Sequence, residues 1–132
     1  AVGDRPISET SPDNMDAQNA RIGYYLYLRQ NGFWTREVTG FDPESEMEKI
    51  FPFSPIHHIT PAYPPTLLIH GTADADVPYE KSIKMAEALE RNGVPYELVP
   101  VEGAGHELDP GDPDLVRAAR AKARAFIKRH LE

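Results

Sequence analysis

Three side chains have the types and spacing to do chemistry together. Asp74 and Asp76 lie in "LLIHGTADADVP" (67–78), just past an apolar run, and His106 lies in "GAGHEL" (103–108). A carboxylate at the mouth of a buried strand is costly unless something pairs with it. A histidine is the natural partner. Held at one ring N–H by a carboxylate, an imidazole is fixed in one tautomer and stabilised when protonated. Its other nitrogen is then free to take a proton from a nucleophile. Gly103 and Gly105 flank His106 and permit the unusual backbone path that would bring the ring to such a site.

The elements around these residues are set up to bring them together. "TLLIH" (66–70) is a continuous apolar run, as expected of a strand covered on both faces. A helix is predicted from about Tyr79 to Asn92, with Ile83, Ala86 and Leu89 inward and Gly93 as its stop. "YELVPV" (96–101) reads as a second strand, placed at an edge because Pro100 cannot donate to a ladder. Asp112 caps a last helix that has Pro113 at its first position. Leu115, Ala119, Ala123, Phe126, Ile127 and Leu131 form its inward stripe. Its C-terminal cations Lys122, Arg124, Lys128 and Arg129 suit the helix dipole and read as a solvated face. Strand, helix, strand, helix is the order of a parallel crossover. Functional groups in such a sheet gather in the loops after the strands, which is where Asp74 and His106 fall.

The region before these elements is different in character. Residues 1–13 are polar and turn-rich, and Asp13 or Asn14 can cap a helix running to about Asn31, stopped by Gly32. Ala17, Ala20, Tyr24 and Leu28 on one stripe, with Ile22, Tyr25 and Leu26 beside it, predict burial on more than one side. Residues 42–51 predict a short acidic helix, and 52–65 a proline-broken connector. The expected division is a helical, aromatic-rich segment over 1–51 and an α/β portion over 52–132.

Composition narrows the function classes. The 132 residues carry a net charge of −7, which would repel a phosphate backbone and argues against nucleic-acid binding. No apolar run is long enough for a membrane span. Without cysteine there are no disulfides or thiolate metal sites. The chain opens on Ala1-Val2-Gly3-Asp4, so its first residues do not indicate a compartment.

"YPPTLLIHGTADADVPYEKS…GAGH" resembles the C-terminal portion of α/β-hydrolase-fold serine hydrolases, of the prolyl-oligopeptidase and dienelactone-hydrolase-like esterase type. The resemblance is strongest over 52–131. In that family "HGxxDxxVP" carries the triad acid and "GxGH" the triad histidine, so it implies Asp74 as the acid and His106 as the base. It also implies that the helix and "RQNGFW" (29–34) are a lid-side insertion. The family's nucleophile is a serine in G-x-S-x-G. None of the five serines here, Ser8, Ser11, Ser45, Ser54 and Ser82, has that context, and no HGGG-type loop is present. The resemblance therefore implies that the serine and the first strands lie upstream of residue 1. It further implies a small-molecule ester or peptide substrate for the parent, with no cofactor, and no activity for this chain alone. A rival reading is a non-catalytic interaction fragment. On either reading the thin sheet and its unpaired edge predict self-association, most simply as a homodimer joined through the "TLLIH" edge or the aromatic patch of Tyr24, Tyr25, Phe33 and Trp34.

Asp76 reads as a turn former that bonds the local backbone before Pro78. Thr72, Asp74 and Asp76 alternate like oxygen ligands but fail the calcium-loop template, which needs a glycine turn and a distal glutamate, so no metal is expected. Adjacent His57 and His58 make a poor metal pair. His70 reads as a brace for the Asp74 loop, and His130 as a packing residue. Tyr24, Tyr25 and Trp34 are core or interface residues, with lining a substrate pocket as the alternative.

Overall fold

The computed structural model describes residues 15–131, except the side chains of 15–18, 20 and 131. The polar entry, its capping residues, Ser8, Ser11, the Ala17 and Ala20 stripe positions and the Leu131 side chain lie outside the described residues. The chain forms two compact units, 1–54 and 55–132. Their division falls between Ser54 and Pro55, inside the proline-broken connector.

In the first unit, α1 (Met15–Gln30) is followed by α2 (Trp34–Thr39), the single-turn α3 (Met47–Ile50) and a 3₁₀ turn over Phe51–Phe53. Gly32 stops α1 as the sequence predicts. With φ of 71°, it donates to Arg29 O at 3.2 Å, while the next amide, Phe33 N–H, reaches back to Leu28 O at 2.8 Å. These two bonds satisfy carbonyls that the helix end would otherwise leave open. The short helix α2 was not anticipated, and the acidic helix expected over 42–51 is regular only over α3. The wide burial expected for α1 is not seen: Leu28 is buried, but Ile22, Leu26 and Tyr27 are largely exposed. Short helices and turns supply too little surface to cover a full apolar girdle.

In the second unit, a 3₁₀ turn (Pro55–His58) leads to β1 (Thr66–Gly71), α4 (Glu80–Arg91), β2 (Tyr96–Val101), a 3₁₀ turn (His106–Leu108) and α5 (Pro113–Leu131). The strands pair in parallel, with Thr66 opposite Tyr96 and Gly71 opposite Val101. Among the described residues β2 pairs with β1 alone, consistent with Pro100 at an edge. Leu67, Ile69, Val99 and Val101 alternate onto one face, where Val116 and Ala119 of α5 join them with Ala104 and Leu108. Helix α4 buries Ala86, Ala88 and Leu89. It ends as α1 does: Gly93 (φ 68°) bonds Glu90 O, Val94 bonds Leu89 O, and Val94 and Leu89 are both buried.

Two helix faces differ from their sequence reading. Ile83 of α4 is exposed, because the buried positions are one turn further on. On α5 the stripe is Val116, Ala119, Ala123 and Phe126, while Leu115 and Ile127 face outward. Ala119, Ala123 and Phe126 keep their expected inward place, so the stripe is narrower than read and differs at its edge, where the sheet selects Val116 over Leu115. Asp112 caps α5 as read, accepting the amides of Asp114 and Leu115 on Oδ1.

Candidate functional site

The site forms where both strands end. Gly71 closes β1 against the turn that follows β2. A Cβ there would lie 2.2 Å from Ala104 O and 2.5 Å from Gly105 O, so only glycine allows the two loops this close. Three hydrogen bonds then tie the loops together. Thr72 N–H donates to Val101 O at 3.0 Å, Ala73 N–H donates to Ala104 O at 2.9 Å, and Gly103 N–H donates to Thr72 Oγ1 at 2.9 Å. The Thr72 hydroxyl is thus a loop tie. Among the described residues no group of three or more His, Asp or Glu is placed to hold a metal ion.

On this frame Asp74 is held at both oxygens. Oδ1 accepts the backbone N–H groups of Asp76 and Val77, each at 2.8 Å. Oδ2 lies 2.9 Å from Nδ1 of His106 and 3.0 Å from Nε2 of His70. Its side chain is only 4% exposed, against 52% for His106. Desolvation is the largest single influence on the Asp74 carboxyl and pushes its pKa up. The His106 hydrogen bond, the Val77 amide, the charge of His106 and the His70 hydrogen bond act against it. Together they hold the carboxyl below its ordinary value near 3.8. Asp74 is therefore an anion in the folded protein at neutral pH.

An ionised carboxylate only accepts, so His106 Nδ1 carries the hydrogen in that pair. His106 Nε2 is left as the ring's other site, with Asp76 Oδ2 at 3.7 Å, beyond the 2.9 Å Asp74 contact and on the other nitrogen. Through Oδ1 and Oδ2 Asp74 both forms the turn and holds the histidine. His70, read as a brace, does contact the Asp74 loop: its Nε2 also lies 3.0 Å from Val77 O.

The backbone after His106 is strained. Glu107 (φ 58°) and Leu108 (φ 66°) occupy the left-handed region, at on the order of 1 kcal/mol each for non-glycine residues. Leu108, packed on the core cluster, helps hold this turn, as do bonds from Leu108 N–H to Gly105 O and from Asp109 N–H to His106 O. An open cleft of about 250 Å³ results, lined by His70, Asp74 and His106 with Ile69, Val77 and Leu108 among others. An anionic acceptor, an oriented imidazole and an adjoining cleft can together move a proton to or from a bound group.

Sequence reasoning missed the Val77 amide and Ser82, whose Oγ is 2.6 Å from His70 Nδ1. The signal for the amide was present, since an aspartate followed by turn residues bonds the backbone two and three positions on. No local signal marked Ser82. The residues lining the cleft all belong to the second unit, whereas Tyr24, Tyr25 and Trp34 belong to the first. There, Tyr24 donates to Glu37 at 2.8 Å, Tyr25 accepts from Arg29 at 2.7 Å, and the Tyr25 and Trp34 rings meet edge to face at 4.9 Å.

The parallel strand–helix–strand–helix unit, with an acid and a base in the loops after its strands, is part of an α/β-hydrolase fold. The profile of the prolyl oligopeptidase family matches residues 9–132, and the chain belongs to that family of serine hydrolases. Solved structures agree on the fold. The propionate-bound esterase Est2 of the planctomycete Thermogutta terrifontis is 33% identical with a TM-score of 0.56, covering 73% of this chain and 35% of that one. A truncated carbohydrate esterase from gut microbiota is 25% identical with a TM-score of 0.57, covering 69% and 31%. A non-reducing polyketide synthase of Emericella nidulans, pkbA, is 38% identical over 69 residues, which is 51% of this chain and 3% of the synthase. The chain thus spans about a third of the length of these solved esterases and a small fraction of the synthase.

Proposed function

We propose that this chain supplies the acid and the base of a serine hydrolase that cleaves carboxylic esters. Asp74 orients His106 through Nδ1, and His106 Nε2 takes the proton of a serine hydroxyl as it attacks the ester carbonyl. The same nitrogen returns the proton to the leaving alkoxide. Water then repeats the cycle on the acyl-enzyme, and Asp74 stays ionised to stabilise the imidazolium. The observation that carries this reading is the 2.9 Å contact of a buried Asp74 with a half-exposed His106. Est2, solved with propionate, supports esters over peptides as the substrate class. The family name keeps peptide amides as the second reading.

The proposal assigns the nucleophile to a serine outside these 132 residues, in a G-x-S-x-G turn. The 132-residue chain should therefore hydrolyse p-nitrophenyl acetate no faster than buffer. A longer form that includes the G-x-S-x-G segment should turn over, and His106→Ala in it should lower kcat by about 10⁴-fold or more. Turnover that survives His106→Ala would refute the assignment.

A further inference from the structure

His70 shares Asp74 Oδ2 with His106, and its surroundings fix its tautomer. Nε2 faces two acceptors, Asp74 Oδ2 and Val77 O, both at 3.0 Å, so Nε2 carries the hydrogen. In the neutral ring Nδ1 is then a bare acceptor, and the group 2.6 Å away is the Ser82 hydroxyl, which can donate to it. Tyr79 meets the ring edge to face at 5.7 Å, and the side chain is only 12% exposed. The ring is thus held at both nitrogens and at one edge.

The consequence falls on Asp74. Its two oxygens receive four N–H groups, from Asp76, Val77, His70 and His106, which matches the capacity of a carboxylate. Three of these are present whether or not His106 is in place. Without His70, Oδ2 would be held by His106 alone, and the half-exposed ring could draw it off line or part from it.

We propose that His70 and Ser82 are positioning residues, a relay from α4 through the β1 end that aims Asp74 Oδ2 at His106 Nδ1. This deepens the function proposed above and rests on it. Ser82 is unsuited to be the nucleophile itself: it lies in the first turn of α4 with its hydroxyl on His70 Nδ1, and it is absent from the lining of the cleft to which His70 and Asp74 contribute. Tuning of this kind, by a partner that touches no substrate, is what sets ligand orientation in other imidazole sites.

Glutamine and asparagine separate positioning from mere packing at residue 70. A glutamine amide nitrogen overlays the histidine Nε2 and can still donate to Asp74, whereas an asparagine nitrogen overlays Nδ1 and cannot. The test is imidazole ¹⁵N NMR of the whole chain at alkaline pH, where the rings are neutral. In the unsubstituted protein His106 should be mainly the Nδ1–H tautomer and His70 mainly Nε2–H. His70→Gln should keep the His106 tautomer. His70→Asn should lower its ratio of Nδ1–H to Nε2–H on the order of tenfold, the worth of one hydrogen bond to a charged group. Ser82→Ala, which leaves Nε2 its two acceptors but removes the hydroxyl that holds Nδ1, should keep His70 mainly Nε2–H and shift His106 in the same direction by less. An unchanged His106 in His70→Asn, or in Ser82→Ala if that variant alone folds, would overturn the relay and leave the proposed function standing. A His106 found as Nε2–H in the unsubstituted protein would overturn the proposed function instead. Labelling of Ser82 by a serine-directed phosphonate would show it to be a nucleophile and overturn its positioning role.

Discussion

The two units of this chain use apolar residues in opposite ways. In the second, two parallel strands and two helices bury Leu89, Val101, Ala104 and Ala119 almost completely, and the polar groups at the strand ends find partners across two loops. In the first, Leu28 is the one buried side chain among those described, while Ile22, Leu26, Tyr27, Phe33, Val38 and Phe53 are exposed. Apolar residues therefore yield a core where strands and helices stack in layers, and stay largely exposed on the helices of the first unit. A charged site needs the first kind of surroundings. Asp74 stays ionised in a desolvated position because a rigid frame presents it with four donors.

The largest effect on this contrast should come from Gly71→Ala. The new methyl group has two backbone carbonyls within 2.5 Å, neither at the end of a flexible side chain. Denaturant unfolding should show the second unit losing about 3 kcal/mol or more. The single tryptophan, Trp34, lies in the first unit, so its fluorescence should keep its own unfolding midpoint. A Trp34 transition that moves with the substitution would mean that the two units unfold together.

Next in size is the contribution of Asp74. Its folded pKa is depressed, so the stability it provides is fully present above the ordinary value near 3.8 and is lost as pH falls through the lower folded value. Asp74→Asn turns an amide N–H toward the ring N–H groups of His106 and His70. It should cost about 2 kcal/mol at neutral pH and remove that part of the acid dependence. Urea titrations from neutral to acidic pH would check both, and a variant that keeps the full acid dependence would locate it on another carboxylate.

The smallest effect should come from the exposed face of α1. Ile22→Ser with Leu26→Ser should change stability by no more than about 0.5 kcal/mol, because neither side chain is buried. If the chain self-associates through its first unit, light scattering at micromolar concentration should fall in the same variant. Unchanged scattering would point to the "TLLIH" edge as the contact.

Much of the second unit was legible in the sequence. A continuous apolar run, an apolar stripe ended by Gly93 and an Asp-Pro cap specify β1, α4 and the start of α5 by local rules alone. The pairing of Asp74 with His106 was readable too, because a parallel crossover puts the loops after neighbouring strands side by side. The inward edge of α5 was not, since Leu115 and Val116 are equally apolar and only the sheet selects between them. The face of α1 was misread for a related reason: an apolar stripe states what a helix could bury, not whether enough surface exists nearby to bury it.

The local chemistry of this protein therefore follows from its sequence: an aspartate after one strand, a histidine between glycines after the next, and glycines where backbones must turn or touch. Tertiary structure decided how those groups are wired. It brought the Asp76 and Val77 amides to one oxygen of Asp74, and it linked Ser82 through His70 to the other. It also placed Gly71 against Ala104 and Gly105. Hydrogen bonds between loops depend on a few tenths of an ångström and on which side of a ring faces which neighbour. Those distances are fixed by packing between residues far apart in the chain, which no local pattern records.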